Sequence, residues 1–323
     1  MKAVRFHRFG GPEVLRYEEV AEPEVGPGDV LIRVAAAGVN FSDTMRRAGT
    51  YHPDLPLPNA EGVEAAGAVV RVGAHVTAPR VGDRVVTMLG SRCQAEYVAA
   101  PAGLVHAVPP SHGLEAAAAL PLAGLTAYHL LRTRAGVKPG ESVLIHAAAS
   151  GVGTLAVQLA RHWGAQVFAT ASTDTKLGLV RELGADETIN YAREDFVAAV
   201  LARTRNRGVD VVLECVGGEV LAQSARALAP GGRLVIYGRA SGEVGILAGD
   251  EILVRNLSVL GLHLGRRPWR PEMHGDAFRE ILELAADGRL KPVIDRSFPM
   301  TDVAAAHAHM AARRTMGKLL LIP

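Results

Sequence analysis

The run Val143-Leu-Ile-His-Ala-Ala-Ala-Ser-Gly-Val-Gly-Thr154, continuing as Leu155-Ala-Val-Gln-Leu-Ala-Arg161, reads as an apolar strand, a tight turn of small residues and a helix opened by glycines. Such a turn lets backbone N–H groups at a helix N-terminus approach a pyrophosphate without Cβ interference. Set against the G-x-G-x-x-G pattern, Ala148, Ser150 and Gly153 stand in the three glycine places, and Gly151 is an extra one. The fingerprint is degenerate, and its weight comes from its setting between a strand and an amphipathic helix with further strand–helix units downstream. The bland alternative is a turn that merely joins strand to helix. Ser150 adds a hydroxyl that donates to phosphate where glycine has only backbone.

Around this turn the chain changes texture. The first hundred residues are dense in short β-type runs (30–36, 67–72, 84–88, 95–99), with turn signals at Gly26-Pro-Gly28, Val72-Gly73 and Val81-Gly-Asp83. This predicts a compact, partly open β-barrel or bent sheet. From residue 135, strand-like and helical runs alternate (142–147, 153–162, 166–171, 176–183, 209–216, 219–228, 233–237), which predicts βαβ units on a parallel sheet. Gly164, Gly184 and Gly208 stand where helices are expected to stop. After the apolar run 256–264 the alternation ends. Helices over 278–286 and 303–313 and a last strand over 318–322 are expected, with the tail returning to the first domain.

A length of 323 residues suits two domains with sizeable cores. A net charge of +2 and the lack of a basic-aromatic stripe point away from a nucleic-acid surface. Cys93 and Cys215, far apart in sequence, predict neither a disulfide framework nor a metal cluster, and a reducing cytoplasm is the default. The opening Met1-Lys-Ala-Val-Arg-Phe-His has no apolar core of a secretory signal. The run 114–131 is interrupted by Glu115, Pro121, Gly124 and His129, so it reads as a buried segment of a soluble protein rather than a membrane span.

The form of the dinucleotide depends on the end of its second strand. An acid there hydrogen-bonds the ribose 2′-OH and repels a 2′-phosphate. This strand ends Thr170-Ala171-Ser172 without an acid; Lys176 follows, and Tyr191 closes the next strand. A hydroxyl, an ammonium and a phenol favour NADPH. Asp174 is the competing residue, its other role being an acid in the first turn of the following helix.

Together with Gly38-Val-Asn-Phe-Ser-Asp43, Gly62-Val-Glu-Ala-Ala-Gly67, Val81-Gly-Asp-Arg-Val85, Gly124-Leu-Thr-Ala-Tyr128 and the closing Gly317-Lys318, the turn resembles the medium-chain dehydrogenase/reductase superfamily. Within it the chain looks like the zinc-independent, zeta-crystallin-like quinone oxidoreductases. The resemblance implies an α/β protein with a GroES-like β-rich catalytic domain (1–124, resumed over 265–323) and a doubly wound Rossmann NADPH domain (125–264). It implies Asn40, Tyr51 and Thr126 near nicotinamide and substrate. It places Ser150, Gly151, Val152 and Gly153 at the pyrophosphate, and Ser172, Lys176 and Tyr191 at the adenosine phosphate. Val216, Gly238 and the Leu262–His263 backbone follow the nicotinamide ribose and carboxamide, and Lys318 reaches the cofactor edge. The Ser150 position is commonly glycine in this branch.

Zinc relatives carry a catalytic Cys and a His that fall on Asn40 and Val63, neither a useful zinc ligand. Histidines such as His7, His52, His75, His162, His307 and His309 then read as surface or core residues, and no metal is expected.

Reducing a quinone makes a phenol-like oxyanion with a pKa of about 10, stable enough for release, whereas an unactivated ketone makes an alkoxide near ~15.7 that needs a metal or a strong acid relay. A metal-free site therefore suits conjugated acceptors. Asn40 and Tyr51 are candidate hydrogen-bond donors to the acceptor oxygen. Tyr51 has the alternative of packing beside Pro53, and Asp43 that of receiving loop N–H groups. The expected activity is NADPH-dependent quinone reduction; the alternatives are an enone or enoyl-thioester reductase and a non-catalytic, crystallin-like NADPH binder. The run 257–264, at a sheet edge, predicts a homodimer with a continuous sheet across a two-fold.

Overall fold

Short β-branched and alanine-rich runs dominate the first part of the chain, and they fold as strands in the computed structural model, which describes residues 1–51, 54–264 and 272–323. In chain order these are β1 (Lys2–Phe6), β2 (Leu15–Glu19), β3 (Asp29–Val39), α1 (Phe41–Arg47), β4 (Asn59–Ala60), β5 (Glu64–Val72), β6 (Arg84–Met88), β7 (Tyr97–Pro101) and β8 (Val105–Ala107). Two helices follow, α2 (Leu114–Ala118) and α3 (Pro121–Tyr128). The apolar run 114–131 thus breaks at Pro121, which opens α3, where its missing N–H costs nothing.

The middle of the chain alternates: β9 (Ser142–Ile145), α4 (Gly151–His162), β10 (Gln166–Ala171), α5 (Asp174–Glu182), β11 (Glu187–Asn190), α6 (Phe196–Arg203), β12 (Val209–Glu214), α7 (Glu219–Ala227), β13 (Leu228–Ile236), α8 (Gly249–Val254) and β14 (Ser258–Gly261). The closing elements are α9 (Glu272–Ala286), β15 (Ile294–Pro299), α10 (Val303–Ala311) and β16 (Lys318–Ile322).

The chain divides into two units. The first takes Met1–Ala123, α9 and Pro292–Pro323; the second runs from Gly124 through β14 and takes Arg289–Lys291. Lys291 is held to the second unit by Gln158, whose Nε2 donates to the Lys291 carbonyl at 2.9 Å and whose Oε1 accepts its N–H at 2.8 Å.

In the first unit a sheet in the order β15-β16-β3-β5-β6-β8, with β7 also on β3, adjoins a three-stranded sheet β2-β1-β4. The C-terminal strand β16 runs antiparallel to β3, aligning Leu319 with Val39. Val4, Phe6, Val30, Ile32, Ala37, Leu319 and Leu321 fill its core. In the second unit all strands are parallel, in the order β11-β10-β9-β12-β13-β14. Strand order reverses between β9 and β12, so the crevice at their carboxyl ends, where α4 begins, is where open α/β sheets bind ligands. Leu144, Phe168, Ile189, Val212 and Leu234 pack this core. No helix among the described residues is long and apolar enough to cross a membrane.

Candidate active site

In the second unit the turn after β9 departs from the expected strand over 142–147, which ends at Ile145. His146 turns inward, with Nδ1 3.0 Å from Thr170 Oγ1 and Nε2 2.9 Å from Ser224 Oγ. Ser224 gives its own proton to the Val220 carbonyl, so Nε2 carries the imidazole proton and Nδ1 accepts from Thr170. Burial pulls the His146 pKa down to about 4, so the ring is neutral. Ala147 then takes φ 47°, in the left-handed region, which stops the strand.

Ser150 caps α4, its Oγ accepting the Gly153 N–H at 3.0 Å. A Cβ on Gly153 would sit 2.4 Å from the Ala147 carbonyl oxygen, so only glycine lets α4 start this close to the turn. The N–H groups of Gly151 and Val152 have no acceptor within a regular helix, whereas that of Gly153 is already taken by the cap. Helix polarity and these free donors make an anion cradle, in which Ser150 adds an O–H and Gly153 contributes by lacking a side chain.

At the end of β10, Ala171 pairs with Asn190 of β11, and the Tyr191 N–H donates to the Ala171 carbonyl at 3.2 Å. Tyr191 is thereby fixed next to Ser172, and its ring is exposed. Thr173 caps α5, accepting the Lys176 N–H at 3.3 Å, which puts Lys176 in the first turn. Asp174 stands at the start of α5, as its competing reading held, and it has partners of its own. Asn190 Nδ2 donates to Oδ1 at 2.8 Å and Arg193 Nη1 to Oδ2 at 2.6 Å. The Asn190 bond, then the Arg193 charge, hold its carboxyl below the ordinary value. Asn190 and Arg193 escaped sequence reading; the signal was a second cation two residues beyond Tyr191. A hydroxyl, an ammonium and a phenol belong to the end of this strand pair, and the Asp174 carboxylate is engaged, a donor set that fits a 2′-phosphate.

Val216, Gly238 and Leu262–His263 follow the carboxyl ends of β12, β13 and β14. Glu214 Oε1 accepts the N–H groups of Val216 and Gly217 at 2.6 and 2.9 Å, bending the chain after β12. Burial raises the Glu214 pKa. Burial also pushes the Cys215 thiol up to about 12, so it is no nucleophile at neutral pH. The Leu262 N–H donates to the Ile236 carbonyl at 2.9 Å.

In the first unit, Asn40 precedes α1 and is almost fully buried. Its Nδ2 donates to Glu64 Oε1 at 2.9 Å, and its Oδ1 accepts from Lys318 Nζ at 2.5 Å. Lys318 therefore makes its contacts on β3 and β5, with no cofactor needed to occupy its charge. Asp43 Oδ2 accepts the Asn40 N–H at 2.9 Å, the loop-bonding role weighed for it. Burial raises the Asp43 and Glu61 pKa values, and the Asp43 charge raises that of Glu61 further. Gln94 Nε2 donates to the Gly38 carbonyl at 3.2 Å and borders the same cluster. Glu61, Glu64 and Gln94 were not singled out from sequence, although Glu64 lies in the quoted motif over 62–67.

Tyr51 is half-buried in the loop after α1; His52 and Pro53, the latter its alternative packing partner, lie outside the described residues. Thr126 lies on α3, half-buried. His307 points inward from α10 while His309 bonds Asp295 Oδ2 at 2.9 Å, so neither is placed for a shared ligand.

Comparison with known proteins finds two family models on the chain. A family model described as "Alcohol dehydrogenase GroES-like domain" matches residues 26–110, and one described as "Zinc-binding dehydrogenase" matches residues 151–286. The chain is 39% identical to a quinone oxidoreductase of Pseudomonas aeruginosa, over 100% of this chain and 99% of the relative. It is also 39% identical to a 2-haloacrylate reductase of a Burkholderia species, over 99% and 98%. The crystal structure of Escherichia coli quinone oxidoreductase complexed with NADPH superposes with a TM-score of 0.94 at 34% identity, over 100% of both chains.

Proposed function

We propose a function from a fixed premise: this chain belongs to the quinone oxidoreductases of the medium-chain dehydrogenase/reductase superfamily. It is an enzyme that reduces quinones by hydride transfer from NADPH, without a metal.

The observation that carries this reading is Asn40. Where zinc relatives hold a thiolate, this chain holds a neutral carboxamide already bonded to an ammonium and a carboxylate, and Val63 offers no imidazole in place of the second ligand. That donor set does not fit zinc. It does fit an acceptor whose new negative charge is delocalised and needs only a hydrogen bond, not a Lewis acid.

NADPH, when bound, supplies the hydride. The turn residues Ser150, Gly151 and Val152 bind its pyrophosphate, with Gly153 giving the room; Ser172, Lys176 and Tyr191 take the 2′-phosphate. Val216, Gly238, Leu262 and His263 line the nicotinamide side, and Thr126 orients the ring. Asn40 and Tyr51 donate to the acceptor oxygen. We assign Lys318 to Asn40 rather than to the cofactor edge.

A second reading, reduction of an activated C=C bond, is favoured by the likeness to the 2-haloacrylate reductase. It uses the same residues, with an enolate in place of the hydroquinone anion. Steady-state NADPH oxidation with a naphthoquinone, an alkenal and a crotonyl thioester separates the two. The quinone is expected to be fastest, and turnover is expected to survive chelators; failure of all three acceptors overturns the assignment.

The protein works as a homodimer in the cytoplasm. Its two thiols are both free, as a reducing compartment keeps them. The last strand of the parallel sheet, β14, has a vacant edge among the described strands; Val259 on it and Leu253 and Val254 on the preceding α8 are exposed. An apolar edge strand of this kind is completed by its symmetry mate.

A further inference from the structure

A buried ion pair is expensive to desolvate and weak evidence of stabilisation, so one kept in a core calls for a role. Lys318 and Glu64 are such a pair, with side chains 4% and 0% exposed and Nζ 2.5 Å from Oε1. The same ammonium reaches Asn40 Oδ1 at 2.5 Å and the Val39 carbonyl at 3.3 Å. Glu64 Oε1 also accepts Asn40 Nδ2 at 2.9 Å, and Oε2 takes the Leu122 N–H at 2.7 Å, in the first turn of α3. Gly38 makes room for this carboxylate, since a Cβ there would lie 2.2 Å from Oε1.

The consequence is orientational. A carboxamide ordinarily exchanges its oxygen and nitrogen ends by rotating about its last bond. Here that rotation would set an NH₂ against an ammonium and a carbonyl oxygen against a carboxylate. Both contacts would turn from charge-assisted bonds into repulsions. One Nδ2–H is spent on Glu64, and the second keeps a fixed direction.

We infer that Lys318 and Glu64 are positioning residues that lock the Asn40 carboxamide with one N–H presented to the acceptor oxygen. This rests on the reductase function proposed above. The lock converts a side chain that would otherwise average two orientations into a preorganised donor, which costs no reorganisation when charge develops on the acceptor.

A double-mutant cycle tests it on the full-length protein with added NADPH and quinone. Removing only Lys318 strands a buried carboxylate, so the paired change Lys318→Met with Glu64→Gln is used. It removes both charges together and keeps the fold within reach. In the otherwise wild-type protein the paired change is expected to lower kcat by about tenfold with the NADPH KM within about twofold, the size of one lost hydrogen bond. In an Asn40→Ala background the same change is expected to alter kcat by less than about twofold, because the residue it positions is gone. Equal losses in both backgrounds, or no loss in the first, overturn the inference.

A second readout needs no turnover. The chain has five asparagines, so asparagine-selective ¹⁵N labelling of the cofactor-free protein gives five side-chain amide pairs, with that of Asn40 identified by its loss in Asn40→Ala. Slow solvent exchange of the Asn40 amide protons is expected in the wild type and fast exchange in the paired variant; unchanged exchange overturns the lock. Absent quinone turnover in the wild type sinks the reductase reading, while the amide exchange still decides whether the lock exists.

Discussion

Arg193 Nη1 lies 2.6 Å from Asp174 Oδ2, and the contact engages the carboxylate that opens α5 just after β10. An acid there would repel a 2′-phosphate; here both of its oxygens are engaged, by Asn190 and by Arg193. Replacing Arg193 with Ala is expected to raise the NADPH KM several-fold while leaving that of NADH nearly unchanged. Lys176→Ala is expected to raise the NADPH KM by about tenfold or more, as loss of one charge-assisted hydrogen bond does. Initial rates with both cofactors check this, and an unchanged NADPH KM for Lys176→Ala removes the assignment.

Tyr51→Phe deletes one hydroxyl and keeps the ring. If the phenol polarises the acceptor, kcat/KM falls by about tenfold with its pH profile unaltered. A thousandfold loss would instead expose a proton relay through Tyr51.

Stability is expected to fall on both sides of neutrality, for different residues. Burial, then the Asp43 charge, push the Glu61 pKa up to about 8, so the folded protein holds a proton that the unfolded chain releases near ~4.3. In that window the folded state binds more protons, and stability drops as pH rises, levelling above about 8. Glu61→Gln should therefore melt above the wild type at alkaline pH, the gap closing toward pH ~5. His307 has the opposite sense. Burial, then the Arg47 charge, pull its pKa down to about 3, and neither ring nitrogen has a hydrogen-bond partner among the described residues. The unfolded chain takes up that proton near ~6.5, so stability declines as pH falls from there toward about 3. His307→Leu is expected to flatten the acid limb. Melting temperatures across the pH range read both, and parallel wild-type and variant curves would refute them.

Light scattering at micromolar protein is expected to return the mass of two chains. Leu253→Glu combined with Val259→Lys puts charges on the exposed edge and is expected to give monomers with unchanged circular dichroism. A monomeric wild type removes the edge-pairing proposal.

Local pattern carried much of the architecture. The strands β10 and β16 have the bounds that their apolar runs predict, and the βαβ alternation from β9 to β13 follows the Gly-punctuated texture. Errors gather where packing overrode pattern. The strand β9 stops two residues early because His146 is drawn to Thr170 and Ser224 and Ala147 turns left-handed beneath Gly153. The apolar run 257–264 yields only the four residues of β14, since the chain leaves the sheet where β13 ends.

The amino-acid order alone put a glycine-opened turn of small residues before α4 and ended the second strand without an acid, and the family resemblance implied that Asn40 and Val63 stand where zinc relatives carry a thiolate and an imidazole. The first two are properties of neighbouring residues, which short-range sterics and chemistry suffice to read; the third came from the resemblance. Only the tertiary structure decided what surrounds Asn40. Lys318 is 278 residues from Asn40 and 254 from Glu64 along the chain, and they meet because β16 pairs with β3 and β3 with β5. Charge partners brought together by sheet register leave no local trace in the chain, because register depends on the whole pattern of burial across strands.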